Sequence, residues 1–392
     1  MIQLKDTQHK STASLLSSAI TTAEYFGFKS IDTLPRSPQA KRIASIDIDK
    51  VDSQVNFARR EERALGAVVR KFVAVNPPSH GVTLAWKVTR TTGTNPTATL
   101  ELHIFGTSTV LAEALLIVVT RAILESIGIS EQSISINNIG TTESSGRFVR
   151  DVGIFLRKNI DSISPSLRTR VESDPIGTLV QLIEKEHPAI ARAPQALEYL
   201  TEDERRRLWS FLEFLETLGI SYEMDGQILG SRDCWAHTLF EVSVIDRESG
   251  APVAVAFGGR YDAMASRYAR KPTGAVMVTI PYELRGEATP VHEEQLAPSV
   301  FYAYLGSEAQ KKSLYILESL RRANIPVAHE LWHEHISEQM IMAHHLATPY
   351  VVIMGHKEAL ENAVIVREVA NNAQETIPSS QLVGYLKRHR IA

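Results

Sequence analysis

Cysteine is almost missing from this 392-residue chain. The single residue, Cys234, excludes a disulfide framework and a cysteine-based zinc cluster within one chain, and it fits a reducing compartment. An excess of charge of one sign is missing too. Lys and Arg number 42 against 45 Asp and Glu, for a formal net charge of -3. The chain as a whole therefore does not advertise nucleic-acid binding, although a local basic face can sit on a neutral protein. No apolar run reaches the roughly 18 residues of a membrane span, and the polar stretch from Met1 to Lys10 lacks a signal-peptide core. Internal repeats and low-complexity blocks are absent. The expectation is a cytoplasmic protein without a membrane segment. What is there is 44% hydrophobic and 22% charged residues, enough for large cores in a chain too long for one ordinary core.

Periodicity divides the chain into two units. Residues 12–26 carry apolar residues at helical spacing (Leu15, Leu16, Ile20, Ala23, Phe26) and stop at Gly27. A helix is expected over 64–75, ending before Pro77-Pro78. Alternation over 82–91 and again over 97–105, with a turn between, predicts a hairpin. A helix with a hydroxyl start is expected over 109–126 and a short strand over 133–136. The middle reads as mainly helical, with helices over 175–185 and 201–218. The second opens with the Thr201/Glu204 spacing of a capping box. Strands are expected over 220–222, 238–246, 253–257 and 275–280. Residues 285–298 are polar, include His292-Glu293-Glu294, and read as a linker. Beyond it, strands and helices alternate: strands at 300–305, 325–328, 350–354 and 364–368, helices at 307–323, 337–346 and 381–388. This predicts an α/β unit with a mostly parallel sheet. The division is 1–290 and 298–392.

The most specific string is Phe257-Gly258-Gly259-Arg260-Tyr261-Asp262. Two glycines after a strand allow a tight turn and close backbone approach, and Arg260 and Asp262 put a donor fork and an acceptor at that turn. Spacing alone describes equally well an ordinary strand-end turn with a surface ion pair. Other features have plain readings. His333 and His335 flank Glu334 just before a helix start and read as surface residues, with no metal expected. His344-His345 reads as helix packing or interface, Cys234 as a small pocket-lining residue, and 203–207 as a solvated helix face.

Gly-Gly-Arg-Tyr-Asp resembles a signature of histidyl-tRNA synthetases. It follows Asp233-Cys234-Trp235-Ala236-His237-Thr238-Leu239-Phe240-Glu241, which is similar to that family's histidine-binding segment. Arg90 to Gly106 has the length of family motif 2. Ala58-Arg59-Arg60-Glu61-Glu62-Arg63 stands where the family has Leu-Arg-Pro-Glu-Gly-Thr, and Ile136-Asn137-Asn138-Ile139-Gly140 resembles the strand and turn that follow motif 2. Gln339, Ala343, 349–355 and Glu358 recur at the spacing of the family's anticodon-binding domain. The resemblance covers roughly 10–390. It implies a class II synthetase-like α/β fold (an α+β core): an antiparallel sheet with flanking helices, plus a C-terminal α/β anticodon-binding domain. It further implies a homodimer through the first helix and Thr33-Leu34-Pro35. The implied sites are catalytic Arg90, a substrate pocket of Glu61, Asp233, Trp235 and Gly258 to Asp262 (Gly258, Gly259, Arg260, Tyr261, Asp262), and tRNA contacts at Gln339, Gly355 and Glu358. ATP and magnesium are implied if the chain is active.

The chain departs from the family where charge must be stabilised. Adenylate formation places negative charge on phosphate oxygens and needs cations around them. The adenine-binding Glu of the family is Thr92 here, and the loop 93–98 is uncharged. Gly230 replaces a catalytic Arg, Trp235 the second Tyr of a pair, Ile104 a late Gln of motif 2, and Leu284 the arginine of motif 3. Arg285 is one step from that place, and a one-residue shift in a helix turns a side chain by about 100°. Each lost charged contact in a dry site costs about 1.5–3 kcal/mol or more. The expectation is a synthetase-like paralogue with weak or no aminoacylation that binds tRNA or a partner enzyme. The alternatives are a divergent working histidine–tRNA ligase and a regulatory subunit of ATP phosphoribosyltransferase.

Overall fold

The long apolar stretch Leu111–Ser126 forms a helix in which thirteen of sixteen residues are buried. A helix apolar on every side must be covered on every side, and the rest of the fold does so. The computed structural model describes residues 1–9, 11–35, 57–75, 81–91, 96–246, 249–285 and 296–389, without the side chains of 57–61, 63, 64 and 73. Most of 40–57, Pro77-Pro78, the uncharged loop at 92–95 and the linker stretch 286–295 lie outside the described residues.

The chain runs α1 (Thr12–Tyr25), β1 (Lys29–Ser30), α2 (Phe57–Val73), β2 (Thr83–Thr91), β3 (Thr97–Phe105), α3 (Leu111–Ser126), β4 (Gln132–Asn138), α4 (Thr142–Lys158), α5 (Pro165–Arg168), α6 (Pro175–Glu184), α7 (Glu202–Thr217), β5 (Glu223–Met224), β6 (Ala236–Ile245), β7 (Pro252–Arg260), α8 (Asp262–Ala269) and β8 (Ala275–Glu283). After the linker come β9 (Val300–Tyr304), α9 (Ser307–Arg322), β10 (Val327–His329), α10 (Ile336–His345), β11 (Tyr350–Met354), α11 (His356–Glu361), β12 (Ala363–Glu368), β13 (Gln374–Pro378) and α12 (Leu382–Arg388).

Eight strands form one sheet in the order β1-β2-β3-β8-β7-β6-β4-β5. It is antiparallel except at its two edges, where β1 pairs with β2 and β5 with β4 in parallel. The alternation in the hairpin sorts its side chains between two cores. Ala98, Leu100, Leu102 and Ile104 face α1 and α3, while Phe105 joins Ala85, Met277 and Tyr261 on the side covered by α2, α4 and α8.

Five strands form the second sheet, in the order β10-β9-β11-β12-β13. The expected mostly parallel sheet is corrected to a mixed one: β10/β9 and β9/β11 are parallel, β11/β12 and β12/β13 antiparallel. Only residues 355–362 link β11 to β12, too few for a crossover. Asn362 turns the chain with a left-handed φ of 51°. The expected strand at 220–222 also fails. Ile220 donates its amide to Leu215 O, closing the end of α7 over Gly219 at φ 64°, and pairing begins at Glu223. The capping box of α7 is present as expected, with Thr201 and Glu204 exchanging hydrogen bonds. The 109–126 helix starts instead at Leu111, with no side-chain cap at Val110.

The two sheets meet through α9, which packs on α3 and α7. Arg321 and Arg322 reach Glu125, Lys311 reaches Glu213, and the Tyr25 hydroxyl donates to Ile325 O at 2.9 Å.

Candidate functional site

Gly258, Gly259 and Arg260 do not form a turn after a strand; all three lie within β7. The glycines are demanded by the neighbouring strands. A Cβ on Gly258 would stand 2.3 Å from the Phe240 ring and 2.5 Å from Met277 O, and one on Gly259 would stand 2.8 Å from Thr238 O. The Arg260 side chain is wholly buried, so the expected surface ion pair is corrected as well. Its Nε and Nη2 donate to the two Glu113 carboxylate oxygens at 2.9 and 2.5 Å. Nη1 donates to Thr107 O and Asp262 Oδ1, and Nη2 also to Thr109 O. Arg207 adds a second cation to Glu113 at 2.8 Å. Asp262 accepts the Ala275 amide at 2.7 Å. The signature is thus a joint that fastens the end of β7 to the start of α3 and to β8.

Charge balance in this joint follows from burial and pairing. Burial alone would raise the Glu113 carboxyl, but Arg260 outweighs it and holds the group below its ordinary range. Burial would lower Arg260, and Glu113 with Asp262 pushes it up instead. Asp262 has burial as its leading influence, and its pKa is raised despite Arg260. Sequence reasoning missed Glu113, and the solvated face expected at 203–207 is corrected at two positions: Glu204 is buried and Arg207 turns inward to Glu113, while Asp203 and Arg206 stay exposed and paired. The signal for Glu113 was a lone acid inside Leu111-Ala112-Glu113-Ala114-Leu115-Leu116, since a carboxylate in an apolar helix needs a cation.

On the α2 face, a polar row runs from Thr89 through Glu101 and His103 to Tyr261. Thr89 Oγ1 donates to Glu101 at 2.8 Å, His103 Nε2 lies 3.4 Å from Glu101, and His103 Nδ1 lies 2.8 Å from the Tyr261 hydroxyl. Aromatic rings close the row. Phe72 stacks on Phe105 at 3.7 Å, and Trp235 meets Phe257 and Tyr261 edge-on at 5.4 and 6.3 Å. His103 is 1%, Tyr261 0% and Trp235 4% exposed. Burial pushes the Tyr261 hydroxyl well above its usual range, so it remains a neutral donor or acceptor. His103 is a further residue that sequence reasoning passed over.

Two departures from the family resolve into one. A Cβ on Gly230 would stand 2.6 Å from Trp235 Cδ1 and 2.9 Å from Cγ. The indole occupies the space a side chain at 230 would need, so the missing arginine and the added tryptophan belong to a single packing choice.

The other expected site residues are not brought to this row. Arg90 pairs with Ala98 and continues the alternation of Leu84, Trp86 and Val88, which pack against the α1/α3 core. Directly paired antiparallel residues share a face, so Arg90 lies on the side opposite Glu101 and His103, exposed at the end of β2. Ile104 is buried in that same α1/α3 core. Glu61 lies in α2, and its side chain is outside the described residues. Asp233 is exposed in the turn before β6. Leu284 and Arg285 follow a strand, which corrects the helical geometry expected there. Arg285 Nε is held by Glu283 at 2.8 Å.

In the C-terminal unit, Gln339 of α10 is fully buried; its side-chain amide accepts from Tyr304 N and donates to Tyr304 O and His333 O. Glu358 accepts the Gly355 amide at 3.1 Å and caps α11. Gln339 therefore ties strand to helix and offers an RNA nothing to bind.

ATP and magnesium do not fit the described residues around the polar row. Arg90 is turned from it, the space beside Gly230 is filled by an indole, and rings cover the Tyr261 end of the row.

The family model described as "Anticodon binding domain" matches residues 299–389. The chain is 28% identical over 296 residues to the histidine–tRNA ligase of Symbiobacterium thermophilum, covering 74% of this chain and 68% of that one. It is 26% identical over 290 residues to the enzyme of the same name from Fervidobacterium nodosum, covering 73% and 68%. The apo histidyl-tRNA synthetase structure from S. aureus aligns with a TM-score of 0.45 and 19% identity, over 82% of this chain and 81% of that one. The C-terminal segment thus matches an anticodon-binding domain, and over about three-quarters of its length the chain is similar to histidine–tRNA ligases.

Proposed function

We propose that this protein is a synthetase paralogue that binds tRNA and does not charge it at ordinary enzyme rates. One observation carries the reading: the face of the large sheet that bears Tyr261 and Trp235 is filled by the chain's own side chains. A histidine and a nucleotide would have to displace rings that are almost wholly buried, at about 3–5 kcal/mol for each large aromatic taken out of its packing. The units 1–290 and 298–392 are proposed as scaffold and RNA-binding part, working in the cytoplasm as a homodimer. The joint at Arg260 supports the same reading, because it gives the signature a reason to persist without catalysis.

The test is histidine-dependent ATP–pyrophosphate exchange on purified, folded protein, alongside tRNA binding. Absent exchange with measurable tRNA affinity is the expected result. Exchange at ordinary synthetase rates would establish a divergent working ligase and end the proposal. Absent exchange without RNA binding would redirect the search to a partner enzyme.

A further inference from the structure

The first half of α4 borders an open hollow of about 590 Å³, lined by Thr142, Glu143, Gly146, Arg147, Arg150 and Arg232 with Val149. Its three arginines come from two separate segments. Arg147 and Arg150 are one helical turn apart, and Arg232 arrives from the turn that precedes β6. Their presentation is built in. A Cβ on Gly146 would lie 2.8 Å from Arg232 Nη1, so the Arg232 guanidinium lies close across the helix where α4 has no side chain. Arg147 Nη2 donates to Ser144 Oγ and Tyr199 O, fixing its fork at the rim.

The charges do not balance locally. Arg150 and Arg232 have neither a hydrogen-bond nor an ion-pair partner among the described residues, and Glu143 is the one carboxylate in the lining. Other arginines around the large sheet are ion-paired, as at Arg170–Asp174, Arg206–Asp203 and Arg267–Glu62; what sets Arg150 and Arg232 apart from the remaining unpaired ones is that they share one hollow with Arg147. Convergent guanidinium groups without carboxylates repel one another, and they present the planar forks that bind phosphate oxygens two at a time. The chain carries a net charge of -3, so general attraction to polyanions does not account for such a patch.

We infer that this hollow is a binding site for the phosphodiester backbone of RNA. The rim residues Thr142, Glu143, Arg147, Arg150 and Arg232 are all exposed, so a strand can enter and leave, which suits a continuous backbone better than an enclosed small molecule. Val149, a half-buried residue of the lining, offers a sugar an apolar contact. The inference rests on the RNA-binding reading above and adds to it a contact on the large-sheet unit, distinct from the matched anticodon-binding segment.

Full-length wild type and the double variant Arg150→Glu/Arg232→Glu should be titrated with a folded tRNA across a series of salt concentrations. Lys271→Glu, an exposed change in the turn after α8, serves as a charge control, and thermal melts check folding. The double variant is expected to bind about tenfold or more weakly at moderate salt, with a salt slope smaller by about two. Unchanged affinity and slope in the double variant, with wild type binding normally, would overturn the site and leave the RNA-binding reading standing. If wild type binds no RNA, both fall together. Weakening by inorganic phosphate alone, without any loss in the double variant, would also count against it.

Discussion

Two sets of arginines in this protein are opposites. Arg260 is sealed from water, with every donor group matched by Glu113, Asp262, Thr107 or Thr109. Arg150 and Arg232 are exposed around a hollow and matched by nothing described. The first arrangement is what a fold requires, because an unpaired buried charge costs several kcal/mol. The second gives the fold nothing and leaves two converging guanidinium forks open to an anion from outside the chain. The residue that looks most like an enzyme signature is thus the structural one, and the arginines no motif singles out are the ones free to bind.

The largest effect that would test this contrast is at the joint. Arg260→Ala or Glu113→Ala removes the main partner of a buried charge, leaving Glu113 only Arg207 or Arg260 only Asp262, and should cost about 3–5 kcal/mol in denaturant melts. Arg260→Lys should recover little, since one ammonium cannot serve the same five acceptor oxygens. A loss below about 1 kcal/mol would mean that the joint is not what keeps the signature.

Next comes the packing pair. Gly230→Ala should destabilise by about 1–3 kcal/mol through overpacking against the indole. Combined with Trp235→Ala, the cost of the alanine at 230 should shrink, giving a coupling of about 0.5–3 kcal/mol in a double-mutant cycle. Additive losses would separate the two departures again.

A third check uses pH. Burial alone would raise the Glu204 carboxyl, but the amides of Thr141 and Thr201 and the Ser144 hydroxyl outweigh it and bring its pKa to about 2. Because the folded value lies below the unfolded one, its contribution is complete above about pH 4.5 and is lost as pH falls through about 2. Glu204→Gln should therefore be less stable than wild type at neutral pH by about 1–3 kcal/mol. The gap should close in acid, as followed by melts from neutral pH downward. A gap independent of pH would assign the loss to packing.

The smallest effect completes the contrast. Arg150→Ala and Arg232→Ala should each change stability by less than about 0.5 kcal/mol, whatever they do to RNA affinity.

Much of this was legible in the chain. The hairpin, the apolar α3 and the capping box at Thr201/Glu204 follow from local spacing, and each formed within a residue or two of expectation. The joint was not legible, because Glu113 lies 147 residues from Arg260 and no local pattern pairs them. The face of Arg90 was misplaced for a similar reason. A strand's alternation fixes which residues share a side, but only register with β3 and the helices above it decides which side is which. Gly230 read as a lost arginine until the indole of Trp235 gave the glycine its own reason.

The order of the large sheet has a consequence for how the chain is made. Strand β8 is the last of the eight in sequence, yet it lies between β3 and β7. Until residues 275–283 leave the ribosome, β1-β2-β3 and the β7-β6-β4-β5 group have no strand to join them, and each keeps an open edge. Translation pauses or truncations before that point would leave two half-sheets exposed to neighbouring chains. The protein is at its most vulnerable to aggregation when nearly three-quarters of it has been synthesised.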